Sequence, residues 1–195
     1  MNPSPSDWSR MAEIMDAQFI GGILGKLYYK IGKQTTNFAV QYSKRTGEDV
    51  IWSKRRQFLD LDPDRDQWFI AQISHRQILQ NEIILDFDRV IPKSTALQEK
   101  DIQLLIQALD MERDFRYAMF HTGSRGIHVH IFYDQLATLD RKQREEKRKQ
   151  LMKLFDWFGT LDYQKASDSC MIALEFVPHW KTHEEKLTIH KKEVW

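Results

Sequence analysis

The chain has 195 residues, of which 42% are hydrophobic and 29% charged, and its net charge is only +1. These values are typical of one globular domain, or of one domain with an added subdomain, and they exclude a disordered segment. The apolar runs are too short to cross a membrane, and the N-terminus lacks the basic start and apolar stretch of a secretory signal. We therefore expect an intracellular protein, cytoplasmic or, in a eukaryote, nuclear, with no membrane partner.

Cysteine content and local charge further limit which disulfides, metal sites and phosphate-binding surfaces the chain can have. Cys170 is the single cysteine, which excludes an intrachain disulfide and a multi-cysteine zinc site, so no zinc is expected. A net charge near zero means that any surface for phosphate groups must be local. Residues 141–153 form a dense basic tract, for which a solvated helix face is the favoured interpretation and a nucleic-acid-binding patch the alternative.

The first part of the chain predicts mixed secondary structure. Residues 7–17 have the apolar spacing of a helix, and residues 38–42 and 50–52 resemble short strands around a polar turn. A second helix is expected over residues 64–79. We interpret residues 1–80 as an N-terminal α/β extension that packs on the core.

The pattern becomes sharper from residue 82 onward. A strand at 82–88 precedes a helix that Ser94 or Thr95 would cap. The expected elements that follow are a strand at 116–121, its hairpin partner at 127–133, a long charged helix at 139–158 and a final strand at 171–176. This order predicts an α+β fold with a ferredoxin-like or RRM-like βαββαβ core at residues 81–195. In that topology the first and third strands are neighbours at the middle of the sheet.

Alternation along these two strands separates an apolar face from a polar one. Ile83, Leu85 and Phe87 would face the helices beside the apolar residues of 127–131, because alternate side chains of a strand share a face. The opposite face, expected to be open to solvent, carries Asp86, Asp88, His128 and His130. Two carboxylates placed in this way can reach one divalent cation such as Mg²⁺.

Further candidate residues lie in the connecting segments. The turn at 122–126 offers hydroxyl and guanidinium groups that bind phosphate well, although a plain β-turn with glycines explains it equally. Asp162, after the basic helix, is the candidate third carboxylate. His179 and Lys181, just beyond the last strand, could contact a triphosphate or belong to an ordinary polar loop.

These residues resemble the motifs of the archaeo-eukaryotic primase superfamily, which includes the small primase subunit and the primase-polymerases. Leu85-Asp86-Phe87-Asp88 is similar to the family's apolar strand with Asp-x-Asp. The segment Thr122-Gly123-Ser124-Arg125-Gly126-Ile127-His128 is similar to its Ser-Gly-x-Arg-Gly-x-His turn and strand. Asp162 corresponds to the third acid, Asp168 to another recurring acid, and residues 178–183 to the segment with Leu-His-x-Lys-Thr-Gly. Ala173-Leu174-Glu175-Phe176-Val177 replaces the family's Arg-Leu-Pro-Gly stretch, so Glu175 is a second candidate for the third acid.

The resemblance implies a DNA primase or primase-polymerase catalytic domain that performs template-directed nucleotidyl transfer from NTPs or dNTPs. It implies a single-stranded DNA template and primer as partners, and a helicase or an accessory primase domain beside them. The implied cofactors are two Mg²⁺ or Mn²⁺ ions at Asp86, Asp88 and Asp162. The residues implied in nucleotide binding are Thr122, Ser124, Arg125, His128, His179 and Lys181.

Two other classes of protein remain open on the residues alone. The strand His128-Val129-His130 resembles the His-hydrophobic-His strand of rolling-circle replication and relaxase (HUH-type) endonucleases. These enzymes need a nucleophilic tyrosine, and Tyr29 in a Tyr-x-x-x-Lys spacing is the candidate. A non-catalytic nucleic-acid-binding module is the third possibility, although such a module would have no need to keep two aspartates beside His128.

Overall fold

A computed structural model describes residues 36–43, 50–57, 60–62, 64–87, 95–122, 126–157, 161–175, 179, 182–184 and 186–194. The chain forms two compact units, one of residues 1–79, 171–186 and 195, the other of residues 80–170 and 187–194. No helix in the described ranges is long and apolar enough to span a membrane.

The strands are β1 (Asn37–Ala39), β2 (Gln41–Ser43), β3 (Val50–Trp52), β4 (Arg56–Gln57), β5 (His75–Gln77), β6 (Glu82–Phe87), β7 (Arg116–His121), β8 (Ile127–Phe132), β9 (Met171–Ala173) and β10 (Thr188–Lys192). The α-helices are α1 (Gln67–Gln72), α2 (Thr95–Met111) and α3 (Arg141–Phe155), and 3₁₀ helices cover Asp134–Thr138 and Tyr163–Ala166.

The first unit contains an antiparallel sheet in the order β4-β1-β5-β9 and a separate hairpin of β2 and β3. The prediction of one helix over residues 64–79 is wrong in its second half, because α1 ends at Gln72 and the chain continues as β5. Strand β5 pairs with β1 on one side and β9 on the other, and this tertiary pairing overrides the helical spacing. The helix predicted at residues 7–17 lies outside the described residues.

The second unit contains an antiparallel sheet in the order β10-β7-β8-β6. The predicted first and third strands, β6 and β8, are neighbours, but β6 lies at the edge of this sheet in the described residues. The predicted fourth strand, β9, pairs with β5 in the first unit, and β10 lies beside β7 instead. An α+β fold with antiparallel sheets is therefore confirmed, whereas the βαββαβ order is not.

One face of the second sheet forms the hydrophobic core with α2 and α3. Ile83, Leu85 and Phe87 are buried there, as the alternation predicts. The core also contains residues of the neighbouring strands and of both helices: Tyr117, Met119, Ile127, Val129, Ile131, Leu105, Ile106, Leu109, Met152 and Phe155. Burial of this apolar surface fixes the orientation of both strands that carry the candidate site.

Helix α3 is anchored to the sheet by Arg148, which is fully buried. Its guanidinium donates to the carbonyls of Glu82 (2.8 Å), Gln80 (3.0 Å) and Ala166 (3.1 Å), and it also contacts Asp168. Asn81 lies between Gln80 and Glu82 in the sequence, and its carbonyl instead accepts from the N–H of Tyr133, the residue that follows β8. Since carbonyls alternate in direction along a strand, Arg148 satisfies carbonyls on the outer edge of β6.

The sequence at the start of α3 explains why the basic tract is helical. Asp140 accepts from the N–H of Gln143, whose side chain accepts in turn from the N–H of Asp140, which completes a capping box. Arg144 and Arg148 face inward and bind Asp168. Burial alone raises the pKa of Asp168, but the two guanidinium groups outweigh it and hold that pKa below its usual range.

Candidate functional site

Asp86 of β6 and His128 of β8 are direct cross-strand partners. Asp86 Oδ1 lies 3.2 Å from His128 Nε2, and the two residues are only 2% and 6% exposed. The predicted open face is therefore wrong, since its described side chains are buried. Alternation fixes which side chains share a face, but it does not tell what covers that face.

A lysine joins this pair to the candidate third acid. Lys165 Nζ lies 3.1 Å from Asp86 Oδ2 and 4.0 Å from Asp162 Oδ2. The 3₁₀ helix Tyr163–Ala166 positions the lysine, and Asp162 caps this helix by accepting from the N–H of Gln164 through Oδ1. Asp86, Asp162, His128 and Lys165 are thus brought together in the second unit.

The charges around Asp86 keep its carboxylate ionised. Burial by itself raises the pKa of Asp86, but the positive charges of His128 and Lys165 outweigh it and hold the pKa well below its usual range. Burial likewise lowers the pKa of Lys165, whereas the charge of Asp86 raises it, and the net shift is upward. A carboxylate and an ammonium group therefore face each other in a largely dehydrated site.

The donor set fits a hard divalent cation. Asp86 Oδ1 faces His128 Nε2 at 3.2 Å and Asp86 Oδ2 faces Lys165 Nζ at 3.1 Å, and a carboxylate oxygen has lone pairs for more than one partner. Carboxylate oxygens are the ligands that Mg²⁺ prefers in proteins. Asp86 and Asp162 would hold such a cation, and Asp88, the other predicted ligand, lies outside the described residues.

A second acid–histidine pair lies on the same face of the sheet. His130 Nδ1 is 2.9 Å from Glu82 Oε1, and both side chains are completely buried. The ring of Phe120 meets His130 edge-on at 5.2 Å between centroids. The oxygen and nitrogen of this buried pair are atoms that can bind a metal ion.

The turn between β7 and β8 lies at the same end of the sheet as Asp86, because Phe87 is opposite Ile127 in the strand register. Thr122 closes this turn: its N–H donates to the carbonyl of Gly126, and its hydroxyl accepts from the N–H of Gly126. Ser124 and Arg125, the predicted phosphate ligands of the turn, lie outside the described residues.

The remaining candidates belong to the first unit. His179 accepts from the N–H of Thr182 through Nδ1 at 3.2 Å, within a tight turn closed by further backbone hydrogen bonds. Lys181 lies outside the described residues. Glu175, the second candidate for the third acid, binds Arg76 through two hydrogen bonds of 2.6 and 3.0 Å, and both side chains are fully buried.

Sequence reasoning missed two polar residues of this site. Lys165 lies three residues after Asp162, which is a helical spacing that brings both side chains to one side. Glu82 lies four residues before Asp86 in the same strand, so the alternation that grouped Asp86 with His128 also places Glu82 on that face. Both signals are present in the sequence, but such spacings are common in ordinary surfaces.

No protein-family model matches the sequence, and no curated protein matches it. Among solved structures, the chain is similar to the polymerase domain from Mycobacterium tuberculosis ligase D in complex with DNA. The TM-score is 0.45 and the identity 13%, over 91% of this chain and 78% of that chain. The residues of the site itself remain the basis for a functional conclusion.

Proposed function

We propose that the chain is a nucleotidyltransferase of the primase-polymerase type, which extends a nucleic-acid strand from nucleoside triphosphates with divalent metal ions. The observation that carries this proposal is the direct pairing of Asp86 with His128 on neighbouring strands, beside Asp162. The resemblance of the segments around Asp86 and His128 to primase motifs supports the same conclusion. A buried face that served only to stabilise the sheet would be more stable with apolar side chains at these positions.

Asp86, Asp88 and Asp162 would hold Mg²⁺ or Mn²⁺ in the proposed reaction. When bound, such ions supply charge neutralisation at the attacking and leaving oxygens of a phosphoryl transfer. The carboxylates contribute by fixing the ions against the sheet, where β6 and the capped 3₁₀ helix hold Asp86 and Asp162 in place. This rigid support suits a reaction that depends on positioning.

The nucleotide would bind at the same end of the sheet. Within the second unit, His128 and the turn that begins at Thr122 would contact the phosphates, because imidazole, hydroxyl and backbone N–H groups stabilise developing negative charge. In the proposal, a single-stranded template with its primer is the macromolecular partner. The roles of Ser124 and Arg125 in the turn, and of His179 and Lys181 in the first unit, follow from the motif resemblance.

Primer extension with the Asp86→Asn variant tests the proposal. The assay uses a primed single-stranded DNA template, Mg²⁺ or Mn²⁺, and either NTPs or dNTPs. We expect the extension rate to fall by about 100-fold or more, the effect of removing a group that stabilises charge in the transition state. Asparagine keeps the shape of the side chain, so the fold should persist in a thermal melt.

The matched control is Asp114→Asn, because Asp114 is an exposed aspartate in the turn before β7. This variant should extend the primer at the wild-type rate. A folded Asp86→Asn protein with an unchanged rate would overturn the proposal. A covalent tyrosine–DNA adduct on single-stranded DNA would instead identify an endonuclease of the rolling-circle type.

A further inference from the structure

Lys165 places a positive charge where the proposed cation would bind. Its Nζ lies 3.1 Å from Asp86 Oδ2 and 4.0 Å from Asp162 Oδ2, and its side chain is 19% exposed. We infer that Lys165 is an internal counter-ion of the site, which neutralises the two carboxylates in the cation-free protein and which a divalent cation must displace. This inference rests on the proposed function in that it takes Asp86 and Asp162 as the cation ligands.

The backbone directs Lys165 toward the carboxylates from both sides. On its N-terminal side, Asp162 caps the 3₁₀ helix through Oδ1, so its other oxygen is the one near the lysine. On its C-terminal side, the carbonyl of Ala166 accepts from Arg148, which is itself fixed to β6. The ammonium group is therefore held at the site by secondary structure and by a buried anchor.

Electrostatics explains why the site needs such a group. Asp86 is almost completely buried, and an uncompensated buried carboxylate is strongly destabilising. His128 lies near Oδ1 and Lys165 near Oδ2, so each oxygen of Asp86 faces a nitrogen in the cation-free protein. These contacts let the protein fold with the carboxylate in place before any cation arrives.

The same contact makes the lysine a competitor of the cation. A divalent ion at Asp86 Oδ2 would have to share that oxygen with an ammonium group, and like charges at this distance repel strongly in a site of low dielectric constant. Lys165 must then move away, and the broken ion pair weakens cation binding. Removing the lysine should therefore tighten the binding of the cation alone, even though it removes a group from the site.

Calorimetric titration with MnCl₂, without nucleotide or DNA, tests this inference on the full chain. We compare the wild type with Lys165→Met and Lys165→Gln, and we use Lys100→Met as a matched control because Lys100 is exposed on α2. Both Lys165 variants should bind Mn²⁺ about tenfold more tightly, since they have no ion pair to break. The control should bind Mn²⁺ as the wild type does.

Thermal melting supplies a second readout that a merely structural lysine would not give. Without metal, Lys165→Met should melt below the wild type, because Asp86 has lost a counter-charge. Saturating Mn²⁺ should raise its melting temperature more than that of the wild type, since a ligand that binds the native state more tightly stabilises it more. Lys165→Gln, which keeps a neutral donor at this position, gives the same comparison with less loss of stability.

The outcomes separate this inference from the proposed function. Folded Lys165 variants that bind Mn²⁺ with unchanged or weaker affinity overturn the inference, even if Asp86→Asn abolishes primer extension. Tighter binding in these variants supports it, even if no extension is found, provided that adding Asp86→Asn removes the gain. Absence of Mn²⁺ binding in all variants overturns the inference together with the metal site.

Discussion

Asp168 holds together two arginines that enter the interior from one helix. It accepts from Arg144 at 2.6 Å and also contacts Arg148, while its own N–H donates to Glu145. A carboxylate between two guanidinium groups is stabilised in its ionised form. The resemblance to primases suggests a recurring acid at this position, and in the structure this acid fixes α3 to the segment after Asp162.

Asp168→Asn should make stability less dependent on pH in the acid range. The pKa of Asp168 is lowered in the folded protein, so its stabilising effect is present above the ordinary carboxyl pKa of about 3.9 and is lost as the pH falls below it. Urea unfolding should therefore show a large difference between wild type and variant at pH 7 and a smaller one at pH 3. The exposed Asp114→Asn serves as control, and an equal difference at both pH values would contradict the prediction.

For single residues of the site, the sequence predicts the face of the sheet on which they lie but not their burial or their contacts. The alternation of side chains along β6 and β8 correctly places Asp86 on the face of the sheet opposite the apolar core, together with His128. It cannot reveal that this polar face is buried, because burial depends on chain segments distant in sequence. For the same reason the contact of Lys165 with Asp86 could not be foreseen, although its spacing from Asp162 was visible.

At the scale of elements, α3 is the support of the site. The buried Arg148 connects it to the outer edge of β6 and to the 3₁₀ helix that carries Lys165. The charge pattern of residues 141–153 suggests a uniformly solvated face. The fold instead assigns Arg144 and Arg148 to the interior, and their long aliphatic stems make such burial possible.

Arg148→Met tests the importance of this connection. The substitution keeps much of the side-chain volume but removes the donor shared by three carbonyls and one of the two guanidinium groups at Asp168. We expect the free energy of unfolding to fall by about 3–5 kcal/mol, the usual cost of removing one partner of a buried ion pair. Urea unfolding measures this loss.

Arg141→Met is the matched control for this experiment, because Arg141 lies on the same helix and forms an exposed pair with Glu145. A surface pair of this kind contributes about 0–1 kcal/mol, so the control should unfold nearly as the wild type does. Similar losses for the two variants would mean that Arg148 does not carry the connection between α3 and β6.

At the scale of the whole molecule, strands that are far apart in the sequence pair with each other. Strand β9 follows the helices of the second unit but pairs with β5 of the first. The predicted βαββαβ order assumed that the strands expected between residues 82 and 176 all belong to one sheet. A three-residue strand carries too little pattern of its own to indicate a different partner.

The outer face of α3 should contribute little to the binding of single-stranded DNA. Arg144 and Arg148 point inward and Arg141 is paired with Glu145, so three of the seven basic side chains of residues 141–153 are held by partners within the protein. Replacing the exposed Lys142 and Lys149 together by Gln should change DNA affinity by less than about twofold at moderate salt. Fluorescence anisotropy measures this affinity, and a tenfold loss would contradict the prediction and show that residues 141–153 form a DNA-binding patch.

The guanidinium group on the outer edge of β6 has a consequence for how the protein behaves in concentrated solution. An edge strand with unoccupied carbonyls is a template on which a second molecule can add its own strand. Arg148 occupies the carbonyls of Gln80 and Glu82, which are the acceptors that such an intruding strand would use. The residue that secures α3 against the strand of Asp86 thus also protects this edge from intermolecular pairing, and its loss should favour aggregation.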